Sequence, residues 1–182
     1  MKIVLKNVRL AFLKCWKAET VNGEGEPAFS ASMILPKDHP QLPAINAAIL
    51  ETAKAKWGAK TDAMMKQMKA TDKLALHDGD TKSQYDGFEG NLFIAARTKT
   101  RPLTIGRDKA PVTEEDGVLY SGCYANVSIE LWAQDNNYGK RINAQLGGIQ
   151  FVKDGDAFAG GGSAADESDF DELEEGADAD LL

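Results

Sequence analysis

The run Cys123-Tyr124-Ala125-Asn126-Val127-Ser128-Ile129-Glu130-Leu131-Trp132 alternates without a break. Cys123, Ala125, Val127, Ile129 and Leu131 fall on one side. Tyr124, Asn126, Ser128, Glu130 and Trp132 fall on the other, which is the two-residue period of a strand with one face in a core. Asp135-Asn136-Asn137 with Gly139 is turn chemistry, because Asn, Asp and Gly tolerate the backbone angles of a reversal, and a second strand resumes near Lys140. Residues 117–152 are therefore predicted to form a long antiparallel hairpin. Gly147-Gly148 interrupts its second strand, and a bulge or sharp bend there is what a sheet needs to curl into a small barrel.

Working outward, residues 90–102 give the next informative strand. Phe93, Ala95, Arg97, Lys99 and Arg101 share one face, opposite Leu92, Ile94, Ala96, Thr98 and Thr100. Three cations in line behind an aromatic make a basic strip, which Arg107 and Lys109 extend beyond Pro102. At the start of the chain, Ile3 to Trp16 interleaves apolar residues with lysines and reads as a long strand broken near Asn7. A Gly-rich loop at 21–27 and an alternating segment at 29–35 complete a second hairpin. Leu42, Ile45, Ile49, Ala53 and Trp57 recur at three- and four-residue steps, so a helix is predicted from Pro40 to Trp57, stopping at Gly58 and covering one end of the barrel. A shorter helix spans residues 62–69, with Met64, Met65 and Met68 as gap-filling core. Residues 70–90 read as loops. Asp78-Gly79-Asp80 resembles a fragment of a calcium loop, but the remaining ligands are missing and a plain turn is the better reading.

The composition excludes several classes. No apolar run approaches the ~20 residues of a membrane span, and residues 1–4 open into a strand pattern instead of a signal peptide. Cys15 and Cys123 are the only cysteines and His39 and His77 the only histidines, so no zinc spacing exists and two buried, reduced thiols of a cytoplasmic protein are expected. No nucleophile–base motif and no phosphate-cradling glycine motif is present. An enzyme, a metal site and a cofactor are therefore not expected.

The net charge of -7 conceals a division. All 21 Lys and Arg lie within residues 1–153, which carry 17 of the 28 acids and a net charge of +4; residues 154–182 hold the other 11 acids and no cation. Residues 159–165 have the composition of a flexible linker, and residues 166–182 are too acidic and too poor in large apolar groups to fold alone. The division predicts a folded body at 1–153 and a disordered acidic tail at 154–182. A basic body with an acidic tail argues for a nucleic-acid partner despite the overall negative charge.

An all-β body with about five main strands, an inserted helical segment and a basic strip near exposed aromatics suits single-stranded nucleic acid. Unstacked bases can lie on rings while phosphates follow the cations, and the OB-fold barrel is the common platform for this combination. The fold expected is thus mainly β: an OB-fold-like five-stranded barrel with the acidic tail. Candidate DNA contacts are Phe93, Arg97, Lys99, Arg101, Arg107, Lys109, Tyr124, Trp132, Lys140 and Arg141. The plainer reading of the strip, a solvated face that keeps the sheet from aggregating, stays open. So do a single-strand annealing recombination protein and a metal-dependent nuclease using Asp78, Asp80 and Asp86.

The segment Gly90-Asn91-Leu92-Phe93-Ile94-Ala95-Ala96-Arg97-Thr98-Lys99, the following Arg101-Pro102, the run Tyr120-Ser121-Gly122-Cys123-Tyr124-Ala125-Asn126-Val127-Ser128 and the closing Gly147-Gly148-Ile149-Gln150 resemble a family of phage-encoded single-stranded-DNA-binding proteins. The resemblance spans nearly the whole body. It implies an OB-fold, DNA binding without sequence preference, a homodimer as one possible assembly, and a role in phage replication, recombination or repair in the host cytoplasm. Asp169-Phe170-Asp171-Glu172 resembles in style the acidic tails of bacterial and phage single-strand binders. That resemblance makes Asp169, Phe170, Asp171, Glu172, Glu174, Glu175, Leu181 and Leu182 candidate contacts for replication or recombination proteins. Those tails often finish with an aromatic, whereas this one finishes Leu181-Leu182.

Overall fold

The predicted hairpin is the longest pairing in the molecule. In the computed structural model, which describes residues 1–21 and 23–158, strands β6 (Tyr124–Asn136) and β7 (Gly139–Lys153) run antiparallel and reverse through Asn137 and Tyr138. Cys123, Ala125, Val127, Ile129 and Leu131 are all buried, as their alternation requires. Ser128 pairs with Gly148 and Ile129 with Leu146, which leaves Gly147 as the extra residue of a bulge. A Cβ at Gly147 would sit 3.2 Å from the Ser128 carbonyl oxygen, so a side chain there would need the Ser128 backbone to give by a few tenths of an ångström. The bulge also switches parity: β7 turns odd-numbered residues outward before it and even-numbered ones after it.

Strand β1 (Lys2–Val21) is long enough to serve two neighbours. Its first part pairs with β6 and its second with β2 (Glu24–Pro36). The strand bends between these duties, with register shifts between Leu5 and Val8 and between Ala11 and Lys14, and positive φ at Asn7 and Phe12. Strand β2 then pairs with β4 (Asn91–Thr98), and β4 meets β7 in parallel, which closes a five-stranded barrel in the order β1-β2-β4-β7-β6. Two short strands flank it: β3 (Leu76–Asp78) on β4 and β5 (Leu103–Ile105) on β7. Neither follows from the sequence, since three residues are too few to show a period.

Helices α1 (Leu42–Trp57) and α2 (Thr61–Ala70) fill the connection between β2 and β3. Ile45, Ala48, Ile49 and Ala53 of α1 and Met68 of α2 enter the same core as Leu10, Met33, Ile94 and Leu131. Each large side chain buried there contributes ~1.5–3 kcal/mol. Among the described residues, no helix is long and apolar enough to cross a membrane. Asp78-Gly79-Asp80 is not a calcium loop or a plain turn but the start of a short 3-10 helix, Gly79–Lys82, which Asp78 caps: its side chain accepts from the Asp80 N–H at 3.0 Å, and Asp80 Oδ1 accepts from the Gly90 N–H at 2.8 Å.

The body does not end at Lys153. Residues 154–158 lie back across the barrel as a strap. The Tyr120 hydroxyl donates to Asp154 at 2.9 Å, the Phe158 N–H donates to the Ser121 carbonyl at 2.9 Å, and Arg9 Nη2 donates to the Asp156 carbonyl at 2.8 Å. The expected boundary therefore moves to at least Phe158. The tail residues from Asp169 to Leu182 lie outside the described residues.

Candidate nucleic-acid interface

The closing pair of strands builds the floor of a groove. Arg97 of β4 is in register with Gln145 of β7, Gln145 with Glu130 of β6, and Glu130 with Lys2 of β1, so one row of outward side chains crosses four strands. Toward the hairpin tip, Asn143 stands opposite Trp132 and Arg141 opposite Gln134. An open groove of about 1290 Å³ runs over this surface, lined by β4, the outer faces of β6 and β7, the hairpin turn and the start of β2.

Four of the residues expected at the site meet here: Arg97, Lys99, Trp132 and Arg141. Among the described residues neither Arg97 nor Arg141 forms an ion pair, and the Arg141 Nε has no hydrogen-bond partner. Lys99 pairs with Glu26, whose carboxyl it holds below the usual range by hydrogen bond and charge. Trp132 is 45% exposed and Tyr138, in the turn, is 88% exposed. A hairpin tip has no core beneath it, so an aromatic there stays in solvent. Strand alternation does not point to Tyr138, and its place in a two-residue turn is the signal that could have found it.

The other expected residues do not join the groove. Phe93 requires a correction: it has the parity of Arg97 but is only 4% exposed, packed beneath Phe88 (5.1 Å between ring centroids) and beside His77 (5.1 Å). It belongs to a second small core with Ala11, Ile34 and Phe88 and presents no face to a base. Arg101 is exposed beyond the end of β4 and lines no part of the groove. Arg107 donates to the Val152 carbonyl at 2.8 Å, and Lys109 sits in a tight turn with φ 66°. Lys140 lies 3.7 Å from Asp135, which also accepts from the Trp57 indole at 3.0 Å. That indole hydrogen bond is the main reason the Asp135 carboxyl titrates below its usual range. Tyr124 lies between the Arg9 guanidinium at 5.7 Å and the Lys153 ammonium at 4.7 Å, at the strap end of β6.

A closed five-stranded barrel with a groove that carries guanidinium groups beside exposed aromatic rings defines an OB-fold protein of the oligonucleotide-binding kind. Across residues 1–182 the chain matches the family model described as "Enterobacter phage Enc34, ssDNA-binding protein", and it belongs to that family. The family is one of DNA-binding proteins and not of enzymes. A protein of Acyrthosiphon pisum secondary endosymbiont phage 1, "Putative protein p50", is 42% identical over the whole chain and 99% of its own length. Among solved structures, the single-stranded DNA-binding protein of bacteriophage Enc34 in complex with ssDNA superposes with a TM-score of 0.71 at 27% identity, over 86% of this chain and 88% of that one. The single-stranded DNA binding protein gp2.5 of bacteriophage T7 shares the fold, with a TM-score of 0.58 at 13% identity over 95% and 98% of the two chains.

Proposed function

We propose that the chain binds single-stranded DNA along the β4–β7–β6 groove, without strong sequence preference, in phage replication, recombination or repair. The observation that carries this is the placing of Arg97, Lys99 and Arg141 beside Trp132 and Tyr138 in one groove. Phosphates neutralise the cations while bases stack on the rings, each stacked base contributing ~1–3 kcal/mol whatever its identity. Residues 1–158 form the DNA-binding body. The acidic tail competes with DNA for the groove at low salt and recruits replication or recombination proteins through Asp169-Phe170-Asp171-Glu172, Glu174, Glu175 and Leu181-Leu182. Removing residues 159–182 then tightens DNA binding at low salt and abolishes partner capture.

Fluorescence polarisation with labelled oligo(dT) and mixed-sequence oligonucleotides over a salt series tests the reading. The expected result is a similar affinity for each composition and a steep log–log fall with salt. A flat salt response, or dependence on one short sequence, overturns it. Adding a complementary strand to the same samples separates binding from annealing.

A further inference from the structure

The groove is not uniformly basic. Strand β2 runs on past the end of its partner: Phe29 pairs with Thr98, and Glu26 and Glu24 continue beyond it to form one lip of the groove. That acidic lip faces Arg97 and Lys99, and Glu26 is in contact with the Lys99 ammonium. Both side chains of the pair are 74% exposed, so neither is needed for folding and either can let go.

We infer that Glu24 and Glu26 determine the preference for single over double strands. This rests on the groove being the DNA site. A single strand is flexible and has one row of phosphates; it places them on Arg97, Lys99 and Arg141 and turns its bases toward Trp132 and Tyr138. Its base edges then meet the lip, and carboxylates accept hydrogen bonds from base amino groups such as cytosine N4. A duplex is stiff, keeps its bases stacked and carries twice the phosphate density per unit length. When one of its strands lies on the cationic wall, the phosphates of the other approach Glu24 and Glu26. The lip thus repels the second strand while costing the first only the exchange of Glu26 for phosphate on Lys99.

The experiment compares the intact chain with Glu24→Gln/Glu26→Gln, measuring affinity for oligo(dT) and for a duplex of equal length at one low salt concentration. Glu114→Gln/Glu115→Gln, exposed changes of the same sign and number off the groove, controls for net charge, and Arg97→Ala/Arg141→Ala controls for the location of the site. The expected result is single-strand affinity raised about twofold and duplex affinity raised about tenfold, so that discrimination falls about fivefold, with Glu114→Gln/Glu115→Gln leaving the ratio unchanged. An unchanged or increased ratio in Glu24→Gln/Glu26→Gln overturns the inference, and so does an equal shift from Glu114→Gln/Glu115→Gln. If Arg97→Ala/Arg141→Ala leaves oligo(dT) binding intact, it is the location of the DNA site that fails.

Discussion

Tyr124 and Trp132 stand on the same outward face of the same strand, eight residues or roughly 26 Å apart, and each has cations near it. At the Tyr124 end Arg9 already has partners within the chain. Arg9 donates to the carbonyls of Gly122 and Asp156 and lies 4.2 Å from the centre of the Phe158 ring, while Gly155 packs against Tyr124. At the Trp132 end, among the described residues, no acid forms an ion pair with Arg97 or Arg141, and Tyr138 projects into solvent. The same residue types make an internal clasp at one end and line an open groove at the other. Which of the two they form depends on whether a neighbouring segment supplies the carbonyls, carboxylates and rings that a nucleotide would supply.

The sharpest way to break that contrast is to remove the cations. Arg97→Ala/Lys99→Ala/Arg141→Ala should weaken oligo(dT) binding on the order of a hundredfold and reduce the salt slope by about two, at ~0.7 for each single-strand phosphate left without its cation. Tyr124→Ala should change affinity less than about twofold in the same assay. A larger loss from Tyr124→Ala than from the triple change would put the site at the strap. Next in size, Trp132→Ala and Tyr138→Ala should each cost ~1–3 kcal/mol of binding with no loss of thermal stability. Quenching of tryptophan fluorescence by oligo(dT) should disappear with Trp132→Phe. Phe158→Ala should do the opposite: the loss of its ring from Arg9 costs about 1 kcal/mol of folding, a Tm lower by ~2–4 °C, while groove binding is kept.

The smallest effect concerns the two thiols under the sheet. Burial pushes the Cys15 thiol up to about 12 and raises that of Cys123, so both stay protonated at pH 8. A thiol-reactive dye should therefore label neither until the chain is unfolded. Because the folded value lies above the unfolded one, the stability linked to Cys15 is intact below pH 9.0 and declines as pH rises from there toward about 12. Labelling at pH 8 on the timescale of DNA binding would show that the barrel opens far more readily than its packing implies.

The hairpin and helix α1 were legible in the sequence because each is written in local periodicity, and the bulge because Gly147-Gly148 marks it; of the strip of cations read on residues 97–109, only Arg97 and Lys99 line the groove. Phe93 shows the limit. Its parity was read correctly, but what covers it is Phe88 from the preceding loop, which has no period, and burial by a side chain outside the strand leaves no trace in the strand's own pattern. The strap escaped for the same reason: Asp154, Gly155 and Asp156 have the composition of a tail, and only their contacts with Tyr120 and Arg9 make them part of the body. Tyr138 needed no tertiary knowledge, only the rule that a tight turn cannot bury its side chains.

The barrel closes through two parallel register pairs, Ala96 with Ala144 and Arg97 with Gln145, directly beneath the groove. Parallel pairing is the weaker kind per residue, so this seam is where local opening should begin, and hydrogen exchange at its amides should outpace that of the β6–β7 hairpin. A strand that binds only the closed form, present at a hundred times its Kd, would hold the seam shut by ~2.7 kcal/mol. Exchange at these amides would then slow by about two orders of magnitude, making the protein's own breathing a gauge of how much of it is on DNA.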